Sequence, residues 1–193
     1  MKFKNIVLGL MTFAFALQMQ VAQAANPKVK MDTTKGTVII ELYPDKAPKT
    51  VANFLQYVND GDYDNTIFHR VIKNFMNQGG GFTVDYKKKK TRAPITNEAD
   101  NGLRNLKYTI AMARTSDPHS ATNQFFINTK NNAFLDFTSK TSRGWGYAVF
   151  GKIVEGKDVM AKISRVKTGA HAPFASDVPL TPIVIRKMTE IKE

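Results

Sequence analysis

At 193 residues, with 42% hydrophobic and 23% charged residues, the chain is long enough for one domain with a substantial core and shows none of the bias of disordered, collagenous or repeat sequences. The absence of cysteine excludes disulfides, thiolate catalysis and cysteine-based zinc sites, so stability rests on packing. A formal net charge of +12 raises the question of an anionic partner such as nucleic acid.

Lys2 and Lys4 precede an apolar run over 6–17, and Ala22-Gln23-Ala24 then supplies the small residues of a signal-peptidase site. Residues 1–24 are therefore expected to be a cleavable secretory signal, and the mature chain, 25–193, to be a single periplasmic domain. The run is shorter than the roughly 20 residues a spanning helix needs, and no later segment replaces it, so no stable membrane anchor is expected. Losing two lysines and no acid lowers the formal charge to +10.

Two β-prone runs, 29–33 and 37–42, flank Thr34-Lys35-Gly36 and predict a hairpin. Pro48 marks a helix start, and Val51, Phe54, Leu55 and Val58 recur with helical spacing until Gly61. Short strands are expected over 66–72, 108–113, 124–128 and 147–152, divided by stretches rich in Asn, Asp, Gly, Ser and Thr, the pattern of a barrel. A second helix should follow Gly156, with Val159, Ile163 and Val166 on one face, and Ile183-Val184-Ile185 reads as a closing strand. Lys87-Lys88-Lys89-Lys90 with Arg92 read as a basic surface loop. No aromatic residues interleave with these lysines as a stacking platform would require, so no nucleic acid is expected as a partner.

Phe68-His69-Arg70-Val71-Ile72, followed by Phe75-Met76-Asn77-Gln78-Gly79-Gly80-Gly81-Phe82, exceeds what strand-and-loop logic requires. Further on stand Asn97-Glu98-Ala99-Asp100-Asn101-Gly102-Leu103, Ala111-Met112-Ala113-Arg114, Ser120-Ala121-Thr122-Asn123-Gln124-Phe125-Phe126-Ile127, Phe134-Leu135-Asp136 and Val149-Phe150-Gly151-Lys152-Ile153. In this order the blocks resemble the signatures of the cyclophilins, most closely the bacterial periplasmic subgroup known as rotamase A, over 31–185. One departure is Lys73-Asn74, where that family usually has Pro-Gly; it alters a turn and not a catalytic position.

The resemblance implies a mainly β fold, an eight-stranded antiparallel closed β-barrel capped by two α-helices. It also implies a peptidyl-prolyl cis-trans isomerase that assists the folding of exported chains, without a cofactor and without metal. Its partners would be proline-containing unfolded or partly folded polypeptides, and a monomer is the simplest expectation. A proline-peptide-binding chaperone or adhesin without significant turnover is the alternative.

Within the resemblance Arg70 is the candidate catalytic residue, because a guanidinium is always charged and carries five donors in a rigid fork. Phe75, Met76, Phe126 and Leu135 are placed around the proline ring, and Gln78 and Gln124 against substrate backbone or behind the arginine. Ala113 and Arg114 match a segment that pairs with an extended peptide, with Arg114 where Asn is frequent. Phe134 and Tyr147 are further substrate-binding candidates. They stand where cyclosporin-sensitive members often have Trp and His, which implies weak cyclosporin binding. His69 is read as structural or groove-supporting, since no G-x-S-x-G elbow exists, no metal-ligand spacing joins it to His119 or His171, and isomerisation moves no proton. The 137–146 loop, with Lys140, Arg143 and Trp145, is a candidate rim of the groove.

Overall fold

The computed structural model describes residues 25–192, so the expected secretory signal, 1–24, lies outside the described residues. Strands β1 (Lys28–Thr33) and β2 (Gly36–Leu42) form the expected hairpin, with Thr33 opposite Gly36. Their alternation turns Val29, Met31, Val38, Ile40 and Leu42 into the core, all fully buried.

Helix α1 (Pro48–Asn59) opens on Pro48, whose fixed φ suits a first helical position, but no side chain of its own segment caps it. Glu98 does so from outside. Its carboxylate accepts the N–H of Lys49 at 3.1 Å and the N–H and Oγ1 of Thr50, both at 2.8 Å. A negative charge there satisfies orphan donors and complements the helix dipole. Asn101 serves in the same stretch, accepting the Leu103 N–H and donating to the Val149 carbonyl, each at 2.9 Å. The 97–103 block is thus a structural brace.

The chain continues through β3 (Thr66–Ile67), β4 (Arg70–Ile72), β5 (Met76–Gly79), β6 (Thr109–Met112), β7 (Phe125–Asn128), β8 (Val149–Glu155), α2 (Lys157–Ile163), β9 (Thr168–His171), β10 (Phe174–Pro179) and β11 (Val184–Ile191). Nine strands form one antiparallel sheet in the order β3-β11-β1-β2-β8-β6-β7-β5-β4. Its two outer members, β3 and β4, are consecutive in the chain and separated only by Phe68-His69. One bent strand therefore pairs with β11 through its first half and with β5 through its second, which curls the sheet back on itself. The sheet thus has nine strands where eight are expected, because this strand is broken in two. The break arises because the Phe68 N–H is bonded to the Ile183 carbonyl at 3.0 Å while its ring turns into the core.

The core centres on Phe54 of α1, whose ring lies 5.2 Å from Tyr63, 5.8 Å from Phe125 and 5.1 Å from Phe150. Helix α1 packs against β11 and α2 against β2. Val159, Met160 and Ile163 are the buried residues of α2, and Val166, expected on that helix, lies just beyond its end and packs against the core.

Sequence reasoning missed the β9–β10 hairpin. Thr168-Gly169-Ala170-His171 has no β-branched run to signal a strand. The hairpin is held by tertiary contacts: Phe174 lies 4.9 Å from Phe82 and 5.3 Å from His69, and His171 stacks on Tyr86 at 3.8 Å. Two loops are fixed by contacts that the sequence does not reveal. Arg92 is paired with Asp60 and Asp62 and sits 4.2 Å over the Tyr57 ring, so the basic stretch reduces to its four lysines. Trp145 is half-buried against Phe137 and His119, at 5.6 and 4.9 Å, in a loop cross-braced by the Thr138 N–H to the Gly144 carbonyl at 2.8 Å.

Candidate active site

Strand pairing aligns the expected residues in a row. Arg70 lies opposite Gln78, Gln78 opposite Phe126, and Phe126 opposite Ala111. Because side chains alternate along a strand, Val71, Phe125, Ile127, Ile110 and Met112 enter the core, while Arg70, Met76, Gln78, Phe126 and Ala111 emerge on the outer face. There Met76, Ala111, Phe126, Leu135 and Val149 form a second apolar cluster, separate from the core, with Phe75, Ala113 and Tyr147 packed around it.

The outer face is hollowed into an open pocket of about 120 Å³, lined by Arg70, Phe75, Met76, Gln78, Ala113, Arg114, Phe126, Leu135 and Tyr147. Two expected residues lie outside that lining. Phe134 is 75% exposed and stacks on Phe75 at 5.6 Å, so it flanks the mouth. Gln124 lines the adjoining pocket of about 230 Å³, with Lys88, Thr91, Ser120 and Thr122, and the two pockets share Gln78, Ala113 and Arg114.

A polar chain links them. Arg70 Nη1 lies 3.5 Å from Gln78 Oε1, and Gln78 Nε2 donates to Gln124 Oε1 at 2.9 Å. The glycines of the signature make room for it. A Cβ on Gly81 would collide with the Gln124 side chain. Gly80 adopts φ +85°, and a Cβ there would lie 2.8 Å from the Tyr63 ring.

Two features escaped the sequence. Asp177, on the unexpected hairpin, places its carboxylate 3.8 Å from Arg70 Nε, while Gln78 lies near Nη1. Arg114 works as a wall: its Nε donates to the Gly146 carbonyl and its Nη1 to the Thr115 carbonyl, both at 2.9 Å, with the guanidinium 4.7 Å over the Tyr147 ring. The Gly146 contact is not visible in sequence, since 32 residues separate it from Arg114.

His69 is buried behind Arg70 between the rings of Phe82 and Phe174, at 4.7 and 5.3 Å, and its Nδ1 has no hydrogen-bond partner among the described residues. Burial first, and the Arg70 charge second, lower its pKa to about 4, against a smaller opposing effect of the Ile67 backbone. The folded protein thus keeps this imidazole neutral while an unfolded chain protonates it near 6.5. Its contribution to stability is complete above about pH 6.5 and is lost as the pH falls toward 4, by about 3 kcal/mol at most. Urea denaturation at pH 7.5 and 4.5 should show a larger acid loss for the wild type than for His69→Leu; equal losses would refute this.

The chain matches the family model described as cyclophilin type peptidyl-prolyl cis-trans isomerase/CLD over residues 28–190. It is 62% identical over 157 residues to peptidyl-prolyl cis-trans isomerase cyp18 of Streptomyces antibioticus, covering 81% of this chain and 94% of that one. Isomerase B of Escherichia coli is 52% identical over 161 residues, 83% of this chain and 98% of that one. Isomerase A of Dickeya dadantii is 51% identical over 187 residues, 97% of this chain and 94% of that one. Among solved structures, a Cryptosporidium parvum cyclophilin crystallised in the presence of the dipeptide Ala-Pro shares the fold, with a TM-score of 0.68 at 24% identity, covering 86% of this chain and 99% of that one.

Proposed function

The chain belongs to the cyclophilin-type peptidyl-prolyl cis-trans isomerases, and from that membership we propose that it turns X-Pro bonds of exported polypeptides by a non-covalent route in which Arg70 is the catalytic residue. Rotation about the bond must lose amide resonance, at a barrier of about 18–20 kcal/mol and an uncatalysed time of tens to hundreds of seconds. No covalent bond forms or breaks, so neither a nucleophile nor a proton shuttle is required.

The observation that carries this reading is the cross-strand row that sets a half-exposed guanidinium beside an apolar pocket. Phe75, Met76, Phe126 and Leu135 grip the proline ring and exclude water, which favours the less dipolar twisted amide. Arg70 donates to the proline nitrogen as it pyramidalises. That bond is absent from the planar ground state, so it lowers the barrier and does not merely tighten binding. Gln78, tied to Gln124, steadies the arginine and offers donor and acceptor groups to the substrate backbone. Export to the periplasm is supported by the Ala22-Gln23-Ala24 site after the apolar run.

NMR exchange on a short Ala-Pro peptide tests the reading: acceleration of cis-trans exchange is expected, and binding without acceleration would leave a peptide-binding chaperone. Cyclosporin should bind weakly. Phe134 has no indole donor, and the Tyr147 ring is already engaged by Arg114 and, at 5.6 Å, by Phe126. A nanomolar dissociation constant from fluorescence titration would overturn that expectation.

A further inference from the structure

Beyond the proline groove, a further pocket of about 80 Å³ opens where the β4–β5 turn, the start of β6 and the end of α2 meet. Lys73, Lys107 and Arg165 each supply a cation from a different element, and no acidic residue lines the pocket. None of the three takes part in an ion pair among the described residues, although the Lys107 ammonium lies 5.0 Å over the Tyr108 ring, whereas Arg70, Arg92, Arg104, Lys140, Lys152 and Lys162 are all paired. Leaving three unneutralised cations around one concavity raises their mutual repulsion, which an anion would relieve.

The polar lining fits the same ligand. Thr129 lines the pocket, and its buried Oγ1 has no hydrogen-bond partner among the described residues. Ser164, at the end of α2, adds a second hydroxyl. The end of α2 is its negative pole and opposes an anion, so the three cations must outweigh it; there the Met160 and Lys162 carbonyls already accept the N–H groups of Ser164 and Arg165.

The walls are fixed in place. Asn74 and Tyr108 both adopt left-handed backbone conformations, at φ +59° and +72°, uncommon for non-glycine residues and an outlier for an aromatic one. Hydrogen bonds tie the neighbouring backbone: the Tyr108 N–H to the Asn128 carbonyl at 2.7 Å, and the Thr129 N–H to the carbonyl of Phe75, next to Asn74, at 2.9 Å. Lys73-Asn74 is also the pair that departs from the usual turn of the resembled family, so this cation belongs to this chain's own sequence.

We propose that this pocket binds a phosphate-type tetrahedral oxyanion, held by Lys73, Lys107 and Arg165 with the Thr129 hydroxyl. A planar carboxylate is served by a single fork, whereas cations arriving from three elements suit oxygens arranged in three dimensions. A volume several times that needed for one water admits an ion of a few heavy atoms and no larger organic body. Free phosphate and a phosphate-bearing headgroup share this chemistry.

Titrating inorganic phosphate into the purified protein at constant ionic strength, with amide NMR shifts as readout, tests the assignment. Saturable shifts centred on Asn74, Thr129 and Arg165 are expected. The double variant Lys107→Gln/Arg165→Gln should weaken binding by about tenfold or more. Thr129→Val should weaken it less, and X-Pro turnover in phosphate-free buffer should stay unchanged in both. Linear shifts spread over the basic surface, or saturable shifts that survive the double variant, would overturn the proposal. Vesicles carrying phosphatidic acid separate the sources. Variant-sensitive binding to both probes admits a headgroup, binding to phosphate alone identifies a free ion, and binding to vesicles without binding to phosphate refutes the pocket.

Discussion

Arg70→Ala is expected to lower kcat/KM for X-Pro isomerisation by about 100-fold or more, the usual effect of deleting one donor that acts on charge developing in a transition state. The fold should hardly register the change. The side chain is 43% exposed, and its ion pair with Asp177 spans 3.8 Å, a geometry worth less than about 1 kcal/mol. Arg70→Lys should recover little of the activity, because an ammonium offers a point charge where the guanidinium offers a fork that reaches Gln78 and the substrate together. The loss should fall on kcat more than on KM, since the apolar pocket that binds the ring is left intact. Matched circular dichroism and a protease-coupled assay decide it. A folded Arg70→Ala protein with wild-type turnover would remove Arg70 from the mechanism.

The largest effect on stability is expected one residue away from the pocket, in Phe125→Ala. Phe125 is fully buried, edge-on to Phe54, Tyr63 and Phe68 at 5.8, 5.5 and 6.2 Å, so truncation opens a sealed cavity among rings that cannot collapse into it. The cost should be about 3–5 kcal/mol, a large share of the roughly 5–15 kcal/mol that holds a domain together. The melting temperature should fall by roughly 10 °C for a chain of this size. Phe126→Ala gives the opposite pattern. That ring faces the open pocket, so its removal widens a space water can enter, sparing the cavity penalty while costing substrate affinity. Thermal melts paired with peptide titrations of the two variants separate the cases. Equal melting temperatures would show that β7 does not divide core from groove as its register indicates.

Much of this protein is legible in its sequence. The hairpin over 28–42 and helix α1 came from local alternation and helical spacing, which act over one element and survive in any tertiary setting. The ordered blocks from Phe68 to Ile153 carry the family and its isomerase activity, and the resemblance, taken position by position, names most of the residues that line the groove. Lys73-Asn74 was visible as a departure, but its meaning was not.

What the sequence left open was decided by contacts between residues far apart in the chain. Met76 and Phe126 are 2% and 4% exposed, so a pattern of burial alone assigns them to the core. Only the register, which sets Gln78 opposite Phe126 and leaves Phe125 pointing inward, puts them on a different face from the interior. The ring closure through β3 and β4, the β9–β10 hairpin, Glu98 capping α1 and Asp177 beside Arg70 share the same cause. Each depends on contacts between residues from about forty to more than a hundred apart, the hairpin through Phe174 against His69 and Phe82, and no local propensity encodes it. Composition and periodicity determine which residues avoid water and which elements form. Packing those elements against one another determines which buried face becomes a core and which becomes a site.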